Sequence, residues 1–189
     1  DGGSGTGGSA AGENAASLAA DGRFGENKMR IYASQNAPFT IMYDSWKAHS
    51  RELVPMTPEE GRQNSEVILG KVLSNRKPPY SLAGGLFDVL EKSGGDMFKV
   101  SNDEIVSWVV KYFSLEVYDL FPASACAVSS LKQALDAGIV KHDETVMLNV
   151  TGGGMLGATR KGFILKEPDL ILSPDLPAEE IIAAVDKLF

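Results

Sequence analysis

Two glycine-rich stretches carry most of the chemistry that the residues suggest. The first, "GSGTGG" at Gly3–Gly8, runs directly into a helix-forming sequence. Glycines reach positive φ and allow close approach to the backbone, so that several amides converge on one anion; Ser4 and Thr6 add hydroxyl donors at the positive end of a helix. That chemistry is phosphate binding. The stretch lacks the lysine of a triphosphate-binding loop, and it lacks the preceding strand and suitably placed acid of a dinucleotide fingerprint. A flexible Gly/Ser linker has the same composition, and the helix that follows is what favours the anion reading. The second stretch, "TGGG" at Thr151–Gly154, closes an apolar run and sets one hydroxyl beside three glycines. Alone it reads first as an ordinary tight turn.

Other residues with chemical potential carry an ordinary reading beside the functional one. Gln35 and Asn36 follow an expected strand, where they could touch a substrate, and Asn36 could equally serve a turn ahead of Pro38. Arg76 with Lys77, and Arg160 with Lys161, are cation pairs that suit an anionic substrate group or a solvated surface. His49 and His142 lack Cys or carboxylate company at ligand spacing, so no metal site is expected. Cys126 lies among Ala, Val and Ser, which suits a small buried residue better than a nucleophile. Trp46, Trp108 and Phe113 are expected in the core.

The elements that must position these residues alternate in type. A helix is expected from the glycine loop to a stop at Asp21–Gly22, a strand at "KMRIYAS", and a turn into a helix across "NAPFTIMYDSWKAHSREL". "PMTPEEGRQ" reads as a polar connection, "LFDVLEKSGG" as a short helix closed by Gly94, and "DMFKVS" as a strand. A helix runs from Asn102, its expected cap, to about Phe113; "EVYDLFP" reads as another strand. A helix from about Ala123 to Ala137 ends at Gly138, and "ETVMLNVTGGG" reads as a buried strand running into the second glycine turn. The last helix begins near Pro177, with Ile181, Ile182, Val185 and Leu188 on one stripe. This alternation implies an α/β architecture, a doubly wound and mostly parallel sheet flanked by helices. Ligands of such sheets bind beyond the carboxyl ends of strands, and both glycine stretches sit at junctions of that kind.

Composition narrows the function classes. The 189 residues carry 18 Lys+Arg against 25 Asp+Glu, a formal charge of −7, which argues against a nucleic-acid groove. No apolar run approaches the ~20 residues of a membrane span. A single cysteine favours a reducing, cytoplasmic setting. The first residue is Asp1 and no signal-peptide pattern follows it, so residues removed upstream, or a fragment, are expected.

Read together, the two glycine stretches resemble those of the fold type II pyridoxal-phosphate (PLP) enzymes, in the threonine synthase and cysteate synthase branch. "SQNAPF", "NRKPPYSLAGGLFDVLEKSGGDMFKVSNDEI" and "PASACAVSSLKQALDAGIVKHDETVMLNVTGGG" look most similar to cysteate synthase. The resemblance implies that Gly3, Ser4, Gly5, Thr6, Gly7 and Gly8 form the cup for the cofactor phosphate, and that Thr151 meets the pyridine nitrogen. It further implies reaction of O-phosphoserine with sulfite to give cysteate, a step of coenzyme M biosynthesis in methanogenic archaea; the threonine synthase alternative uses O-phosphohomoserine and water. A non-catalytic PLP or phosphate-ligand module is the reading from another class. In these enzymes the Schiff-base lysine lies well upstream of the glycine loop, and no lysine here occupies a matching position. Residues 1–189 are therefore expected to form a PLP-binding α/β portion without a catalytic residue of its own. Pairing with an amino-terminal chain, or a homodimer, is the expected assembly.

Overall fold

The computed structural model describes residues 3–25, 27–164 and 166–189; Asp1 and Gly2, at the start of the expected domain, lie outside them. The chain divides into two compact units, Asp1–Gly154 and Met155–Phe189.

The first unit is α/β. Strands β1 (Tyr32–Asn36) and β2 (Asp96–Val100) pair in parallel, with Ala33 opposite Met97 and Asn36 opposite Val100. Parallel neighbours need a crossover, and here it contains α2 (Ile41–Lys47), α3 (Pro58–Val67) and α4 (Leu86–Ser93). Before β1 comes α1 (Thr6–Asp21), and after β2 come α5 (Asn102–Glu116) and α6 (Pro122–Asp136). Alternation along the strands sends side chains to two helical layers. Ala33 and Met97 join Phe39, Met42, Ile68, Tyr80, Leu86 and Leu90 in one cluster, whereas Val100 joins Leu73, Ile105, Leu120 and the small residues of α6 in another. Each large buried side chain contributes about 1.5–3 kcal/mol of transfer free energy.

Small residues set the close approaches. A Cβ on Gly12 of α1 would lie 2.4 Å from Val89 of α4, and one on Gly95 would lie 1.8 Å from the Ile31 carbonyl oxygen. The two helices and the two strand starts therefore approach to distances that only glycine permits. Gly22 and Gly94 end α1 and α4 in the left-handed region, as expected from the sequence.

Several expectations are corrected. "PMTPEEGRQ" is mostly helix, because Thr57 and Glu60 form a reciprocal capping box with Pro58 in the first turn. The cap of α5 is Ser101, boxed with Glu104, rather than Asn102. "EVYDLFP" forms no strand: α5 continues to Glu116, and Leu120 makes a single antiparallel bridge to Gly153. "ETVMLNV" forms no strand among the described residues, and Val146 and Met147 are exposed. Both runs are apolar enough for a strand, but a strand also needs a neighbour for its backbone groups. The broad sheet expected from the sequence is thus represented, among the described residues, by two strands.

The second unit holds α7 (Met155–Arg160), α8 (Ala178–Val185) and a 3-10 turn at Asp186–Leu188. On the expected α8 stripe, Ile182, Val185 and Leu188 are exposed. No described helix is long and apolar enough to cross a membrane.

Two carboxylates tie elements together, Asp96 joining α2 to β2 and Glu104 joining α5 to α6. Asp96 accepts from the Trp46 indole at 2.7 Å and from Lys47 at 2.6 Å; Glu104 accepts from Ser101 and Gln133. Burial raises both carboxyl pKa values, but the hydrogen bonds outweigh it and hold them below the ordinary range. A pKa lower in the folded than in the unfolded chain stabilises the fold above about pH 4 and is lost as pH falls through the folded-state value. Denaturant midpoints taken from pH 7 down to pH 3 should therefore fall, and Asp96→Asn should flatten the fall. Gly95→Ala should cost about 1–3 kcal/mol through strain at the strand pair, read as a lower urea midpoint.

Candidate functional site

The first glycine stretch folds as a tight lead into α1. Gly5 is the residue before the helix, with φ of 76°, and a Cβ there would meet Leu86 at 3.0 Å. Gly3 lies against the backbone of the crossover: its Cβ would sit 2.7 Å from the Val72 carbonyl oxygen. The hydroxyls of Ser4 and Thr6 are 2.7 Å apart. No side chain caps α1 and no acid occupies its first turn, and among the described residues the amides of Gly7 and Gly8 have no acceptor. Unengaged amides at the positive end of a 16-residue helix are donors of the kind that an anion requires.

The second stretch is clamped to the segment leading into α6. The Phe121 amide donates to Gly152 O at 3.1 Å, the Gly154 amide to Asp119 O at 2.9 Å, and the Gly152 amide to Ser124 Oγ at 2.9 Å. Gly153 has φ of 151°, and a Cβ there would lie 2.1 Å from Asp119 O, so glycine is required. Thr151 and Gly152 line a cavity of about 330 Å³ together with residues 69–72 and 121–124. Lys71 is its cationic lining residue, and its ammonium donates to Ser65 O and Glu66 O at the end of α3.

The wall at residues 69–72 relates the two glycine stretches. Val72 touches Gly3 through its carbonyl and also lines the cavity beside Thr151. Sequence reasoning missed this wall. Its signal was Gly70, a lone glycine in the apolar run "VILGKVL", which marks a close backbone approach; a Cβ there would reach Leu73 at 3.0 Å and Asn36 Oδ1 at 3.5 Å.

Asn36 holds the wall. Buried completely at the carboxyl end of β1, it accepts from the Gly70 amide at 2.9 Å and donates to Val100 O and to Asn102 Oδ1. Asn102 in turn accepts from the Leu69 amide and donates to Val67 O. Gln35, also buried, accepts from the Met42 and Tyr43 amides and so caps α2; its Nε2 has no partner among the described residues. Neither side chain lines the cavity.

Arg76 and Lys77, the remaining cationic candidates of the first unit, do not line it. Arg76 lays its stem across Gly61, and Arg76, Lys77, Arg160, Lys161, His49 and His142 are exposed. No cluster of three metal-binding side chains occurs among the described residues. Cys126 is fully buried, and burial pushes its thiol up to about 11, which makes it a poor nucleophile. Trp46 is core, and Trp108 packs partly buried against the second cluster.

The phosphate monoester of PLP needs convergent donors at low negative charge, and the Gly3–Gly8 stretch supplies hydroxyls and unengaged amides there. A pyridine nitrogen needs one hydroxyl, and Thr151 is a hydroxyl residue on the lining of the cavity. The residue types present are those that the two non-reacting ends of the cofactor call for.

No family model matches the chain. Among curated proteins it is 39% identical over 182 residues to a protein named cysteate synthase from Methanosarcina acetivorans, covering 95% of this chain and 44% of that protein. It is 40% identical over 186 residues to the cysteate synthase of Methanocella paludicola, covering 97% and 43%, and 45% identical over 153 residues to that of Methanoculleus marisnigri, covering 80% and 36%. The chain therefore spans less than half the length of the curated relatives it matches.

Asn36→Ala should lower stability by about 1–3 kcal/mol, because it strips partners from buried amides. Hydrogen exchange should show the Gly70 amide losing its protection before the β1 and β2 amides do.

Proposed function

We propose that this chain is the cofactor-binding portion of a PLP-dependent cysteate synthase, which replaces the phosphate of O-phospho-L-serine with sulfite to give L-cysteate for coenzyme M biosynthesis. In that exchange the Cβ–O bond to phosphate breaks and a Cβ–S bond forms, with inorganic phosphate as the leaving group. The observation that carries this reading is the 39–40% identity to proteins of that name over 95–97% of the chain. The geometry of the two glycine stretches supports it.

The proposed roles follow from the chemistry of each residue. The Gly7 and Gly8 amides, with the Ser4 and Thr6 hydroxyls, would hold the cofactor phosphate at the positive end of α1; Gly3 and Gly5 would let the loop turn tightly enough to present them. Thr151 would share a hydrogen bond with the pyridine nitrogen. Bound PLP supplies an electron sink that loosens bonds at the substrate β carbon. A neutral hydroxyl cannot hold the ring nitrogen protonated as a carboxylate would, so the residues around that sink favour elimination and replacement. The lysine that joins the cofactor is proposed to come from the part of the relatives that this chain does not span. These 189 residues alone should bind the cofactor without turning over substrate.

The test is phosphate release by the protein that carries this chain, expressed from its complete coding sequence and supplied with PLP. Sulfite-dependent release from O-phosphoserine, with cysteate as product, is expected. Release from O-phosphohomoserine alone would make it a threonine synthase, and release from neither would leave a non-catalytic binding module.

A further inference from the structure

We propose that Ser124 is the positioning residue for Thr151, holding the Thr151–Gly152 peptide in register with the cavity by accepting the Gly152 amide proton. The inference rests on the reading that Thr151 meets the cofactor ring nitrogen.

Thr151 stands at the head of three glycines, the most freely rotating backbone in the protein. A hydroxyl that must meet one ring atom cannot be aimed from such a segment unless the segment is fixed from outside. Two backbone bonds clamp it, Phe121 N to Gly152 O and Gly154 N to Asp119 O, and together they make the bridge between Leu120 and Gly153. Both act on the carbonyl of Gly152 or beyond it. The bond from the Gly152 amide to Ser124 Oγ, 2.9 Å long, acts on the peptide unit that begins at Thr151 itself. Together with the bond at Gly152 O it holds both peptide units that flank Gly152.

The surroundings of Ser124 point the same way. It is 1% exposed in the first turn of α6, between Ala123 and Ala125 and ahead of Cys126, all three buried. A hydroxyl among apolar neighbours is unfavourable unless it is hydrogen-bonded, and Ser124 Oγ is bonded to the turn. Ser124 and Thr151 line the same cavity, so the positioning group and the group it positions share one site.

The experiment is a double-mutant cycle on the full protein carrying this chain, as apoprotein, titrated with 4′-deoxypyridoxine 5′-phosphate. This analogue keeps the phosphate and ring nitrogen but has no aldehyde to react with lysine. Affinity, the ionisation of the bound ring followed by its absorbance, and the melting temperature are measured for Ser124→Ala, Thr151→Val and the pair. Each single change should weaken binding by about 3-fold to 10-fold, the worth of one hydrogen bond. Each should shift the ring ionisation in the same direction, and the double variant should lie within about twofold of Thr151→Val. Losses that multiply in the double variant, or a Ser124→Ala that lowers melting without moving the ring ionisation, would make Ser124 merely structural while leaving the Thr151 reading intact. A Thr151→Val that changes neither affinity nor ionisation would overturn both. If Ser124→Ala does not fold, Ser124→Cys, which keeps a weaker acceptor, is carried through the same cycle with the same outcomes.

Discussion

Asn36 is sealed from water at the point where β1 ends, and a primary amide in that position must find every partner inside the protein. It finds them in Val100 at the end of β2, Asn102 at the start of α5 and Gly70 in the crossover. Three stretches of chain far apart in sequence, at residues 36, 70 and 100–102, are thereby brought to one point. The cavity wall at residues 69–72 is anchored there, and through Val72 so is the surface against which the first glycine loop packs. The wall beside both glycine stretches is tied to the strand ends through this carboxamide.

How much of this could be read in the sequence depends on whether the signal was local. The ends of α1, α4 and α6 were legible because glycines at 22, 94 and 138 stop helices by backbone geometry alone. Strands β1 and β2 were legible in position, though β1 lies a few residues later than "KMRIYAS" implies. The helix α3 was not, since its proline-rich, polar sequence looks like a connection until the pairing of Thr57 with Glu60 is noticed. Ser101 rather than Asn102 caps α5 because Asn102 is needed by the crossover, a demand that arises only in three dimensions. The runs at 116–122 and 144–150 show the opposite failure: apolar composition without a neighbouring strand makes no strand.

The candidate site divides in the same way. The glycine stretches announced themselves, because few roles other than a tight turn or a close approach call for so little side chain. The wall between them did not, since its contact with Gly3 is made by a backbone carbonyl that belongs equally to every residue type. Gln35 and Asn36 were picked out as polar residues at a strand end, and the structure engages them in the scaffold behind the cavity. Ser124 was hidden within a run of small residues, where a hydroxyl and a methyl look alike in pattern.

The bonds that assemble the cavity span long stretches of chain: 34 residues from Asn36 to Gly70, 64 from Asn36 to Val100 and 28 from Ser124 to Gly152. Closing such loops costs entropy before any contact rewards it, and folding slows as the mean separation of contacts grows. Helices such as α1 and α6 can form early from their own residues. The wall and the clamped turn can form only once both strands are side by side, so the capacity to bind a ligand there is acquired at the end of folding, by a chain whose local structure is already complete.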